Sequence, residues 1–66
     1  MNGPIRAKVV TVTIDRITYG GTYFVQNYMV HVVSSFGAKA AQLRRSKAED
    51  VAELLLSELV RAGLNP

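Results

Sequence analysis

The sequence predicts a small α+β domain, in which a three-stranded antiparallel β-meander is followed by one C-terminal α-helix (β-β-β-α). The first observation is a concentration of β-forming residues, mostly Val, Ile, Thr and Tyr, between positions 5 and 34. The second is a run from position 47 onwards that has helix capping residues and an apolar stripe at helical spacing. A chain of 66 residues is shorter than most domains, so residues 1–66 are expected to form a single domain.

The first two strands are predicted at residues 5–19 and 22–34, joined by a turn at Gly20-Gly21. A two-residue loop would put the two sets of alternating apolar residues on opposite faces. A three-residue loop, Tyr19-Gly20-Gly21, puts them on one face, and a β-bulge near Val9-Val10 has a similar effect. The shared face would then carry Val10, Val12, Ile14, Phe24, Tyr28, Val30 and Val32.

The other face of this predicted hairpin is also apolar. An antiparallel sheet with one solvated face normally alternates between apolar and polar residues, so this pattern indicates a second covered face. The helix can cover only one face, which leaves the other for a partner or a second copy. The residues expected there are Val9, Ile17, Tyr19, Tyr23, Val25, Met29 and Val33.

Residues 36–45 allow two interpretations, a short third strand or an N-terminal extension of the helix. The alanines in this segment favour a helix by intrinsic propensity. An extended helix would bury the capping box Ser46-Lys47-Ala48-Glu49 in its interior, however, so the strand is preferred.

The helix is predicted from Lys47 to about Ala62. Glu49 and Asp50 place negative charge at its positive end, and Gly63 suits the C-terminal cap. Leu54 lies outside the apolar stripe. The stripe itself consists of Ala48, Val51, Ala52, Leu55, Leu59 and Ala62, widened by Leu56 with Val60 at its margin.

The composition limits how so small a domain is stabilised. There is no cysteine and only one histidine, His31, which excludes disulfides, thiolate metal sites and a two-histidine metal site. Hydrophobic residues make up 48% of the chain, more than one small core needs, which favours a homodimer. The residues predicted for the dimer or partner interface are Val25, Met29, Val33 and Leu54.

A basic cluster flanks the predicted start of the helix. Arg44, Arg45 and Lys47 lie where backbone N–H groups and the helix dipole already favour an anion, and arginine matches phosphate geometry. Lys39, Arg6 and Lys8 are added to this predicted nucleic-acid-binding set. The alternative is a set of solvated charges that keeps an apolar protein soluble.

The sequence offers no credible pair of nucleophile and base, so an enzyme is not expected, and no cofactor or metal is expected either. Residues 1–4 lack the features of a signal peptide, and no membrane span is predicted, which favours a cytoplasmic protein.

The predicted function is a nucleic-acid-binding accessory or regulatory protein that contacts the phosphates of DNA or RNA. The alternative is a protein-interaction module (inhibitor, adaptor or assembly subunit) that acts through an apolar sheet face or edge. The five aromatic residues could serve as stacking platforms for bases, but aromatic residues on strands are more often core or interface residues, which is the preferred interpretation.

Two partial resemblances accompany this prediction. Strands followed by Arg44-Arg45-Ser46-Lys47-Ala48-Glu49 and a helix resemble the second half of double-stranded RNA-binding domains, which implies phosphate contacts for Arg45 and Lys47. The first helix of that family is missing here. The predicted architecture is also similar to plant AP2-type DNA-binding domains and to the arm-binding domains of tyrosine recombinases, without a matching motif.

Overall fold

The computed structural model describes residues 6–64 and shows a four-stranded antiparallel sheet followed by one helix. The strands are β1 (Lys8–Ile14), β2 (Ile17–Gln26), β3 (Met29–Ser34) and β4 (Gly37–Gln42), and the helix is α1 (Ala48–Leu64). Each strand pairs with its neighbour in sequence, so the sheet order is β1-β2-β3-β4. The α+β class and the C-terminal helix are confirmed, whereas the prediction of three strands is wrong.

The extra strand arises because the chain reverses at two places without a glycine. Asp15 and Arg16 have φ angles of 52° and 68°, and Asn27 and Tyr28 have φ angles of 53° and 61°. Positive φ at both central residues is the pattern of a type I′ turn, whose twist matches that of the flanking strands. Asp and Asn tolerate this conformation better than most residues do.

The predicted turn at Gly20-Gly21 is therefore wrong, because both glycines lie within β2. Gly21 faces α1, and a Cβ atom there would lie 3.0 Å from the Val33 carbonyl oxygen and 3.3 Å from Leu56 Cδ1. At Gly20, on the other face, the nearest atom would be 3.9 Å away. A glycine inside a strand often marks such a close approach, and here Gly21 lets the helix pack against the sheet.

The two adjacent glycines are expected to respond differently to the same substitution. Gly21→Ala should lower the free energy of unfolding by about 1–3 kcal/mol, because backbone and buried side chain crowd the new methyl group. Gly20→Ala has room and should raise the free energy of unfolding by roughly 0.5–1 kcal/mol. Urea denaturation of both variants checks this, and equal stabilities would contradict the packing described at Gly21.

Paired residues of neighbouring strands point to the same face, so the register defines the face that α1 covers. Val10 pairs with Gly21, Val12 with Tyr19, and Tyr23 with Val32. The buried core that results consists of Val10, Tyr23, Val30 and Val32 from the sheet and Ala52, Leu55, Leu56 and Val60 from α1.

Only part of the predicted face assignment is correct. Val30 and Val32 do share the helix face with Val10. Phe24 lies on the opposite face, because it pairs with His31, and Tyr28 lies in a turn. Tyr19 and Tyr23, predicted for the uncovered face, pack in or against the core.

The segment 36–45 contains a strand, as preferred, although β4 is the fourth strand rather than the third. Its turn is held by the Ser34 hydroxyl, which accepts a hydrogen bond from the Phe36 N–H at 3.1 Å. Gly37 follows with a φ of 128°, a conformation that side chains disfavour. Pairing with β3 thus outweighs the helix propensity of the alanines.

The helix is confirmed, beginning at Ala48 and ending at Leu64, so Gly63 lies inside it and is not the predicted C-terminal cap. Its first turn is closed by the Val51 N–H, which donates to the Lys47 carbonyl oxygen at 3.1 Å. Lys47 is therefore the N-cap, and within residues 6–64 Ser46 forms no hydrogen bond with Glu49, so the predicted capping box is not formed. The helix is too short and too polar to cross a membrane.

Candidate nucleic-acid interface

One end of the sheet gathers most of the predicted cations. In an antiparallel meander the start of β1, the β2–β3 turn and the end of β4 lie at the same end of the sheet. The pairing of Gln26 with Met29 and of Met29 with Gln42 fixes this arrangement. The Leu43 N–H extends it by donating to the Tyr28 carbonyl oxygen at 2.7 Å. The segment that follows leads directly into α1, so the helix N-terminus belongs to this end as well.

We call this region the basic end and define it by five exposed residues: Arg6, Lys8, Arg44, Arg45 and Lys47. They are five of the eight Lys and Arg residues of the chain. Arg6 and Lys8 come from the start of β1, while the other three come from the segment between β4 and α1. The two groups therefore lie at the same end of the sheet, although they come from its opposite edge strands, β1 and β4.

Among residues 6–64, no cation of the basic end is held in an ion pair. The only ion pair among residues 6–64 joins Lys39 and Glu58. Glu49 and Asp50 occupy the first turn of α1, where they are exposed and interact favourably with the helix dipole. These two carboxylates reduce the local excess of positive charge without pairing directly with the arginines.

Lys39 differs from the other predicted cations because its charge is paired. It lies on the helix face of the edge strand β4, and its Nζ donates to Glu58 Oε1 at 2.6 Å. The register places Lys8 and Lys39 in one row across the sheet, three strand spacings or about 14 Å apart. Lys39 thus forms an exposed ion pair between β4 and α1, and of the six predicted cations it is the one whose charge is paired among residues 6–64, so we leave it out of the basic end.

The four residues predicted for a dimer or partner interface do not form one patch. Met29 and Val33 lie on the face of the sheet that α1 leaves open, with Val33 48% exposed. Val25 pairs with Val30 and so lies on the helix face, at its margin. Leu54 is 59% exposed on the side of α1 that faces away from the core.

The open face of the sheet, which we call the outer face, is uncharged across all four strands. It comprises Val9, Thr11, Thr13, Thr18, Gly20, Thr22, Phe24, Gln26, Met29, His31, Val33, Ala38, Ala40 and Gln42. None of these strand residues is Lys, Arg, Asp or Glu, and Val9 is 73% exposed. The outer face therefore differs from the basic end both in charge and in the residues available for contacts.

The outer face carries an aromatic pair that sequence reasoning did not identify. The rings of Phe24 and His31 stack with centroids 4.7 Å apart and planes 7° apart. The predicted register puts Phe24 on the same face as Val10 and Val30, and therefore not next to His31. Tyr19 and Phe36, by contrast, pack edge-to-face against the core at 5.6 Å, and Tyr28 is 80% exposed in its turn.

In the part of the chain from 6 to 64, no three His, Cys, Asp or Glu side chains come together to hold a metal ion. Comparisons with family models, with curated proteins and with solved structures found no match. The fourth strand also departs from the three-stranded architectures that the sequence resembled. The geometry of the basic end and of the outer face is thus the basis for a functional proposal.

Proposed function

We propose that this protein is a non-enzymatic nucleic-acid-binding protein, accessory or regulatory in role, that contacts phosphates through its basic end. The observation that carries this proposal is the location of Arg6 and Lys8, on one edge strand, and of Arg44, Arg45 and Lys47, after the other, at one end of the sheet. Side chains from two separate segments of the chain present several positive charges together, which suits a polymer of phosphates better than a single small anion.

The chemistry of the individual groups supports a phosphate ligand. Arginine presents paired N–H donors that match two phosphate oxygens, and lysine adds a mobile point charge. The first turn of α1 contributes free backbone N–H groups and the positive end of the helix dipole. Since the five cations are exposed and unpaired among residues 6–64, binding a phosphate would not require breaking an internal ion pair.

The proposal predicts binding that weakens steeply with salt. With three to five phosphate contacts, raising the salt concentration from 50 to 200 mM should weaken duplex binding by about 40- to 500-fold. Binding releases cations condensed on the nucleic acid, and their release is less favourable when the surrounding salt is more concentrated. Fluorescence anisotropy with a labelled oligonucleotide, at several salt concentrations, measures this. Affinity that does not change with salt, or no binding at low salt, would contradict the proposal.

A second candidate function is protein interaction through the outer face, including formation of a homodimer. It is supported by the exposed apolar side chains of Val9 and Val33 on a face without formal charges. Such binding would be largely insensitive to salt. Sedimentation on the samples used for the titration tests the homodimer form of this candidate, which predicts a species larger than 7.2 kDa without nucleic acid, and the response to salt separates it from phosphate binding.

A further inference from the structure

We propose that the outer face holds an unpaired base of a single-stranded nucleic acid, stacked on His31 above β4. This inference rests on the proposed function and adds the form of nucleic acid that is bound. It starts from the pairing of Phe24 with His31 and of His31 with Ala40, which puts these residues in one row across β2, β3 and β4.

The stack of rings stops before the end of this row. The Phe24 and His31 rings lie 4.7 Å apart and nearly parallel, a spacing that equals the distance between neighbouring strands. Phe24 covers one side of the His31 ring. The next residue in the row is Ala40, whose methyl group leaves the space above β4 open on the other side of His31.

A depression of about 280 Å³ occupies this place and is lined by Phe24, His31, Val33, Ala38 and Ala40, together with Val32 and Lys39. Pockets for drug-sized molecules measure roughly 300–1,000 Å³, so this one has room for a single small planar group. A nucleobase suits it, since every base has a flat π-face that stacks on an aromatic ring. A base inside a duplex is already stacked on both sides, so the ligand must be single-stranded.

The charges lie where the backbone of such a strand would need them. Ala40 is four residues before Arg44, or about 13 Å along an extended chain. Even at the duplex spacing of about 3.4 Å per nucleotide, four nucleotides cover this distance. The outer face itself carries no carboxylate among its strand residues, so nothing there repels the phosphates.

The test compares a single-stranded oligonucleotide with a duplex of the same sequence in anisotropy titrations. The wild-type protein should bind the single strand more tightly. Phe24→Leu removes the ring that supports His31, and Ala40→Leu fills the depression, so each should weaken single-strand binding by about 5- to 150-fold. Neither variant should change duplex binding. Thr11→Leu, which adds the same side chain to the outer face away from the depression, is the matched control.

A second measurement does not depend on the variants folding. A 2-aminopurine base in the single strand should lose fluorescence on binding to the wild-type protein, because stacking quenches it. Equal affinity for both forms, with no quenching and no effect of Ala40→Leu, would overturn this inference and leave phosphate binding intact. Failure to bind either form would overturn the proposed function as well. A dimer that Ala40→Leu dissociates would show that a second copy covers this face, and would also overturn the inference.

Discussion

Replacement of Leu56 by Ala is expected to remove a large part of the free energy of unfolding. Leu56 is fully buried and is among the largest side chains in the core, packing over Gly21 in the middle of the sheet. Truncating a buried leucine to alanine costs about 2–5 kcal/mol, because a cavity remains. A domain of this length has a total stability of roughly 3–10 kcal/mol, so the loss is a large fraction of the total and unfolds the variant if the wild type is near the lower end of this range.

The same substitution two residues earlier provides the control. Leu54 is 59% exposed on the same helix, and Leu54→Ala should change the free energy of unfolding by no more than about 0.5 kcal/mol. Urea denaturation followed by circular dichroism measures both variants. A large loss for Leu54→Ala would contradict the exposed position of this side chain and would indicate that a partner buries it.

The helix could be predicted from the sequence because its determinants are local. The spacing of its apolar residues identifies Ala52, Leu55 and Leu56 as buried, and the structure confirms this. Ala62, also predicted for the stripe, is exposed, whereas Val60 at its predicted margin is fully buried. Leu54 falls outside the stripe and is exposed, also as predicted. The position of the cap differed by one residue, since Lys47 rather than Ser46 accepts the first helical hydrogen bond with its carbonyl oxygen.

The sheet was harder to predict because its register depends on where the chain turns. A glycine pair is the strongest local sign of a turn, yet Gly21 is needed for contact with Leu56. The real turns at Asp15-Arg16 and Asn27-Tyr28 have an acidic or amide residue first, but no glycine second. Moving the turn changed the face of every residue in β2, and with it the predicted partner surface.

The candidate site likewise combines residues that a local pattern identifies with residues that only the fold reveals. The cluster Arg44, Arg45 and Lys47 is contiguous in sequence and needs no fold to be recognised. Arg6 and Lys8 are predicted from their charge alone, and the topology places them at the same end of the sheet, on the opposite edge strand. The ion pair of Lys39 with Glu58 and the stack of Phe24 on His31 depend on tertiary contacts that no local pattern indicates.

Removing two positive charges from the basic end is expected to have the largest effect on binding. Each phosphate contact contributes about 0.9 to the slope of log affinity against log salt on duplex DNA, so Arg44→Ala/Arg45→Ala should reduce this slope by about 1.8. At 0.1 M salt the same loss corresponds to an affinity roughly 10- to 100-fold weaker. Both side chains are exposed, so the free energy of unfolding should be nearly unchanged.

The most direct test compares this variant with Arg16→Ala/Arg61→Ala, which removes the same charge from the opposite end of the molecule. Arg16 lies in the β1–β2 turn and Arg61 in the last turn of α1, and both are exposed. The salt dependence of oligonucleotide affinity should fall for Arg44→Ala/Arg45→Ala and stay close to that of the wild type for Arg16→Ala/Arg61→Ala. Equal losses in the two variants would mean that net charge alone attracts the nucleic acid, and would contradict a binding site at the basic end.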